Sequence, residues 1–178
     1  MIQINRIKKV DGDYEGLSFV IKALPTKNTN IRNEQILFDG ACFWATDGKR
    51  LHFYYPFGNI GIPGQTYKVA SKTSDIIFLE EDDTVKFPDI YCLSFFHRTP
   101  KWSLDISISG ERDSIMIDRS HEYTRVIRRI KRNQTLDFGY FSDLTPGKYS
   151  VHNFGDNDVT GFCNGNKGAL IMPMVVKN

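Results

Sequence analysis

The sequence predicts an α+β fold made mostly of antiparallel strands, with few and short helices. Two observations carry the strands. Aromatic residues make up 13% of the 178 residues, and with many β-branched residues they suit the half-buried surface of a sheet. Apolar residues also come in short alternating runs between turn signals, the period of a strand. A third observation sets the helices. Within 13–24, Tyr14, Leu17, Val20, Ile21 and Leu24 recur at helical spacing, so one face is apolar.

In chain order, the alternation predicts strands near 2–9, 34–39, 42–46, 50–55, 66–70, 84–87 and 90–97. Further strands follow near 102–108, 114–118, 135–138, 148–153, 158–163 and 167–175. Asp39-Gly40 between two apolar runs is a tight hairpin signal. Asn164-Gly165 and Asp156-Asn157 mark two more turns. Asp11 or Asp13 can cap helix 13–24, and Pro25 stops it. A second helix is expected over 71–80 from Ile76, Ile77 and Leu79, with Glu80–Asp83 as the acidic turn after it. A third candidate, 140–144, is cut by Pro146 to one turn at most. The order reads as three versions of one strand–helix–strands unit, starting at 1, 66 and 132.

Composition excludes several classes. Hydrophobic residues at 40% and charged residues at 25% fit a globular chain, not a disordered one or a coiled coil. No apolar run approaches the roughly 20 residues of a membrane helix, and the start MIQINRIKKV has no secretory apolar region. A net charge of +2 is far from that of a bulk nucleic-acid coat. Cys42, Cys92 and Cys163 are odd in number and widely spaced, which reads as buried free thiols in a reducing compartment, the cytoplasm.

The chemistry-bearing signatures are absent: no nucleotide-binding glycine loop, no nucleophile elbow, no zinc-protease helix. His52, His97, His121 and His152 lack metal-ligand spacing, and each reads as a strand or surface histidine. Glu80–Asp83 reads as a solvated acidic turn rather than a cation site. Neither an enzyme nor a cofactor or metal is expected.

Three stretches carry a different signal. The first is Ala45–Leu51, ATDGKRL, immediately after an apolar strand. The second is Met116–Ile127, MIDRSHEYTRVI, and the third is Leu170–Val176, LIMPMVV. Each has a plain reading alone: an Asp-Gly corner, a strand entering a basic connector, and a last strand with an edge proline. In this order together, the chain resembles the bacterial DNA polymerase III β subunit, the sliding clamp. That family carries an A-T-D-G-H-R-L turn, a D-G-R-F-P-D-Y-R-R-V-like segment and a terminal V-M-P-M.

The resemblance implies a DNA-clamp fold, with short helices on one side of curved antiparallel sheets. Residues 1–131 resemble the middle clamp domain, and 132–178 the C-terminal half of the last one. It also implies a pocket for short linear motifs of polymerases and other clamp-binding proteins. Carried over by motif, Thr46, Gly48, Arg50 and Leu51 come from the turn, Val126 from the connector, and Met172, Pro173 and Met174 from the C-terminal strand. The chemistry is coherent: methionines adapt to varied apolar partners, Gly48 would let a peptide backbone approach, and Arg50 would hold a carbonyl or carboxylate. Three departures bear on client specificity: Lys49 replaces the turn histidine, His121 the connector proline, and Val175 the basic residue after MPM.

Clamp helices line the DNA hole, and those here would offer Lys22 and Lys72 to duplex DNA, with Lys8 and Lys9 nearby. Contact would be weak and sequence-independent. Arg128 and Arg129 belong to the basic segment 119–132, which reads either as phosphate-contacting or as a solvated connector. The expectation is thus a processivity clamp for DNA replication that docks clients and can encircle DNA. The rival is a non-encircling adaptor or decoy that binds clamp clients or clamp subunits. A homo-oligomer is expected because 132–178, as a lone half domain, would expose open strand edges.

Overall fold

The computed structural model describes residues 4–9, 12–25, 34–58, 60–84, 86–89, 98–108, 135–136, 138–155 and 158–174. Strand β1 spans Ile4–Lys8 and helix α1 Tyr14–Ile21. Strands β2 (Gln35–Phe38), β3 (Phe43–Thr46), β4 (Arg50–Tyr54), β5 (Gln65–Lys72) and β6 (Ile76–Glu81) follow. Then come β7 (Trp102–Ile108), β8 (Thr135–Leu136), the one-turn helix α2 (Phe138–Phe141), β9 (Gly147–Asn153), β10 (Thr160–Asn164), β11 (Lys167–Ile171) and β12 (Pro173–Met174). No helix among the described residues is long and apolar enough to cross a membrane.

The chain forms two compact units: 1–90 with 165–168, and 91–164 with 169–178. In the first, six strands run in the order β1-β6-β5-β2-β3-β4, and every pair is antiparallel. Helix α1 covers one face. Its stripe of Tyr14, Leu17 and Val20 packs with Ile7, Ile36, Phe38, Phe43, Ala45, Tyr54, Tyr67, Ile77 and Leu79 into one core. Gly16 is needed there, because a Cβ at that position would collide with the Tyr54 ring. A wider helix residue would lift α1 off β4.

Side-chain alternation sorts the remaining residues by face. Ile7 opposite Ile77 belongs to the core, so the next pair, Lys8 opposite Ile76, points to the other face. On β4, His52 and Tyr54 face α1, whereas Leu51 and Phe53 face away beside Thr46 and Trp44 of β3.

In the second unit the order is β11-β10-β9-β7, with β10 and β7 antiparallel to β9 on its two sides. A small separate pair joins β12 to β8, Pro173 opposite Leu136. The unit's buried residues include Tyr149, Val151, Phe162, Leu170 and Ile171. Arg98 donates to Asp158 at 2.5 Å and to the Phe154 carbonyl at 3.1 Å.

Several expectations change. Residues 71–80 are not a helix: β5 runs to Lys72, turns at Thr73, and returns as β6. Thr73 Oγ1 accepts from the Asp75 and Ile76 amides, the local hydroxyl chemistry that makes turns. Ile76-Ile77-Phe78 then does what β-branched and aromatic residues do in a sheet, and Glu80 and Glu81 belong to that strand. Residues 84, 86 and 87 form no strand, because Asp82 Oδ1 accepts from both the Thr84 amide and hydroxyl and ends the ladder. The expected strand 167–175 breaks at Met172. The expected strands 90–97 and 114–118 lie outside the described residues.

Strand β7 supplies the edge partner of β9 along seven residue pairs, from Trp102–Asn153 to Ile108–Gly147. Residues 132–178 therefore do not stand as a lone half domain with β9 unpaired, and the argument for an oligomer from that open edge falls away.

Candidate functional site

The ATDGKRL turn is built by its own side chains. Thr46 Oγ1 donates to the Arg50 carbonyl at 2.6 Å and accepts from the Gly48 amide at 3.0 Å. Asp47 Oδ1 accepts from the amides of Lys49 at 2.9 Å and Arg50 at 3.0 Å. Gly48 sits at φ 85°, the left-handed region, so the turn itself requires glycine. Close approach of a peptide is not needed to explain it. Arg50 is buried, with its Nε 3.1 Å from Asp47 Oδ2. Its guanidinium is paired with the turn's own carboxylate. Leu51 is buried as well, and Thr46 is half-buried.

The C-terminal stretch behaves differently. Proline at 173 has no amide hydrogen to extend a ladder, and the chain leaves β11 at Ile171 and enters the pair with β8 at Pro173. Met172 lies at the crossing and is 46% exposed, while Ile171 before it is fully buried. Pro173 is half-buried. An exposed methionine held between two strands is a rigid backbone carrying an adaptable side chain. Met174 sits opposite Thr135 in β12. Val126, Arg128 and Arg129 lie outside the described residues.

Among the basic residues, Lys8, Lys9, Lys22 and Lys72 are all exposed. They do not form one group, because Lys8 lies on the face away from α1. A cation that sequence reasoning missed stands instead near the helix: Lys167 Nζ lies 5.9 Å from the Phe19 ring centroid. No helical or strand period flags Lys167. The available signal is the Asn164-Gly165 turn, which starts a strand at that lysine.

Two buried polar groups anchor α1. Asp13, at the helix start, makes no side-chain cap. Its Oδ1 instead accepts from Tyr54 Oη at 2.5 Å and the Phe57 amide at 3.0 Å. Burial and the adjacent Asp13 carboxylate push the Tyr54 phenol well up. His52 is fully buried, with Nδ1 2.8 Å from the Phe19 carbonyl and its ring stacked on Phe19 at 4.3 Å. Burial holds the imidazole down at about 3, against 6.5 ordinarily, with smaller contributions from Arg50 and Lys22. His52 is thus a neutral core residue. Burial also raises the Cys42 and Cys163 thiols, the behaviour of inert cysteines. Among the described residues, no group of His, Cys, Asp and Glu could hold a metal.

Antiparallel sheets with a short helix laid on one face define the class: a clamp fold. Solved structures identify it further as the fold of bacterial DNA polymerase III β subunits. The Borrelia burgdorferi β subunit, solved with a natural product, superposes with a TM-score of 0.62 at 14% identity, covering 97% of this chain and 64% of that one. The Caulobacter crescentus β subunit gives 0.59 at 12% identity, covering 98% and 66%. The Helicobacter pylori β clamp, bound to a DNA ligase peptide, gives 0.56 at 8% identity, covering 98% and 66%. The chain thus spans slightly less than two thirds of each. No family model matches the chain, and no curated protein does.

Proposed function

We propose that this chain is a clamp-like processivity protein of DNA replication, acting in the cytoplasm without catalysing a reaction. It docks polymerase and repair clients through short linear motifs and holds duplex DNA without sequence preference. The clamp fold supports the class. The observation that carries client docking is Met172, exposed on a fixed backbone at the IMPM stretch. The peptide-bound Helicobacter clamp is a precedent for such docking on this fold.

Titration of a fluorescent peptide with Leu and Phe anchors tests this. Burying the Met172 side chain against a client is worth about 1.5 kcal/mol, so Met172→Ala should weaken binding about tenfold with thermal stability unchanged. Phe57→Ala, which removes a side chain 77% exposed elsewhere, should leave affinity alone. Equal affinities for wild type and Met172→Ala would refute the docking role. Light scattering with and without closed circular DNA tests encirclement, which requires an assembly that stays on a circle and leaves when the circle is cut.

A further inference from the structure

We propose that Tyr55, Phe57 and Ile62, on the loop between β4 and β5, form a docking surface for a basic protein segment with an apolar anchor. Binding there is independent of the client docking at Met172.

The apolar content is written in the sequence. Residues 55–64 read YPFGNIGIPG, without a charged side chain. Of the four large hydrophobic side chains exposed among the described residues, three belong to this loop: Tyr55, Phe57 and Ile62. Apolar side chains exposed singly are ordinary, whereas a group of them rimmed by polar residues marks an interaction site. Phe and Tyr are also enriched at the centres of protein interfaces.

The backbone that carries these side chains is held to several elements. The Tyr55 amide donates to the Asn166 carbonyl at 2.7 Å, and the Phe57 amide to Asp13 Oδ1 at 3.0 Å. Further on, the Ile62 amide donates to Tyr67 Oη and the Gly64 amide to the Phe38 carbonyl, both at 2.8 Å. Ile60 packs inward against the core. The exposed side chains take no part in these bonds. A partner therefore meets them on an already ordered backbone, which lowers the entropy cost of docking.

Charge selects the partner. The Gln65 amide donates to the Ile62 carbonyl at 3.1 Å, and Gln65 Nε2 donates to Asp83 Oδ1 at 2.7 Å. The acidic end of β6 thus lies beside the Ile62 end of the loop. Asp83 is exposed, and Asp82 before it accepts from the amide and hydroxyl of Thr84. Gln65 and Thr84 are neutral donors, so both carboxylates keep their negative charge. Lys68 on β5 is paired with Glu80 at 3.2 Å. At the other end of the loop, Lys167 beside Asn166 has Glu15 as its opposing charge. The complement is a segment with an apolar side chain for Phe57 and Lys or Arg for Asp82 and Asp83. The same carboxylates disfavour a phosphate backbone.

Fluorescence anisotropy with two labelled peptides tests the surface. Both carry one tryptophan anchor, flanked by arginines in the first and by glutamates in the second. The arginine peptide should bind about tenfold or more tighter than the glutamate peptide, and added salt should narrow the gap. Phe57→Ser should weaken the arginine peptide about tenfold with the urea midpoint unchanged, and Phe57→Trp should retain binding. Asp83→Lys should weaken it about threefold or more and flatten its salt dependence. Met172→Ala should leave it unchanged. Equal binding of the two peptides, wild-type affinity in Phe57→Ser, or an equal loss in Met172→Ala would overturn the surface, whatever the client peptide does.

Discussion

Between neutral pH and about pH 4, acid should weaken this protein through the buried His52. In the native state burial holds its imidazole neutral down to about 3, while the unfolded chain takes up the proton near 6.5. The folded value is depressed, so the stabilising difference is fully present above pH 6.5 and is lost as pH falls toward 3. Within that window the unfolded state binds one more proton, and stability drops by about 1.4 kcal/mol per pH unit. Going from neutral pH to about pH 4 removes roughly 3 kcal/mol from this group, a large part of a small protein's net stability. Carboxylates add to the loss at lower pH, among them Asp82, whose acceptance from Thr84 holds its carboxyl below the ordinary 3.8, so its contribution goes only below that pH. A reference variant is therefore required. His52→Phe preserves the stack on Phe19, removes the proton site and gives up the bond to the Phe19 carbonyl. Urea unfolding at several pH values, followed by circular dichroism, should show a shallower loss for His52→Phe than for wild type. The gap between the two slopes should be about one proton's worth. Parallel curves for the two proteins would refute the burial argument.

Two further substitutions probe the frame of the site. Gly16→Ala drives a methyl into the Tyr54 ring, and such overpacking should cost about 1–3 kcal/mol, read as a lower urea midpoint. Asp47→Ala strips the acceptor from two turn amides and leaves the buried Arg50 without that ion pair. It should cost about 3 kcal/mol or more by the same measurement, whereas Lys49→Ala in the same turn should change little.

Local features were readable from sequence, and long-range ones were not. The amphipathic helix, the Asp-Gly corners and most strands follow from period and turn chemistry. The 71–80 stretch was misread because Ile76, Ile77 and Leu79 satisfy a loose helical spacing, while Thr73-Ser74-Asp75 was the stronger local signal. Asp13 stands where a cap is expected, yet it serves Tyr54 and Phe57, more than forty residues away. The β5 bulge between Val69 and Ser71 depends on the register of a partner strand, and the nearness of Lys167 to Phe19 spans most of the chain. No window along the sequence contains either.

The 165–168 hairpin tip also bears on how the chain must be made. It is counted with the first unit: the Asn166 carbonyl accepts from the Tyr55 amide at 2.7 Å, and Asn166 Nδ2 donates to the Tyr55 carbonyl at 2.9 Å. These partners lie 111 residues apart. A nascent chain that has emerged only through residue 90 has its α1-covered sheet but lacks the residues that satisfy Tyr55. Completion of the first unit therefore waits for residues 165–168 to leave the ribosome. Such late, distant closure slows folding. A fragment ending at 90 is for the same reason a poor surrogate for the first unit, and dissection of this protein calls for substitutions in the intact chain.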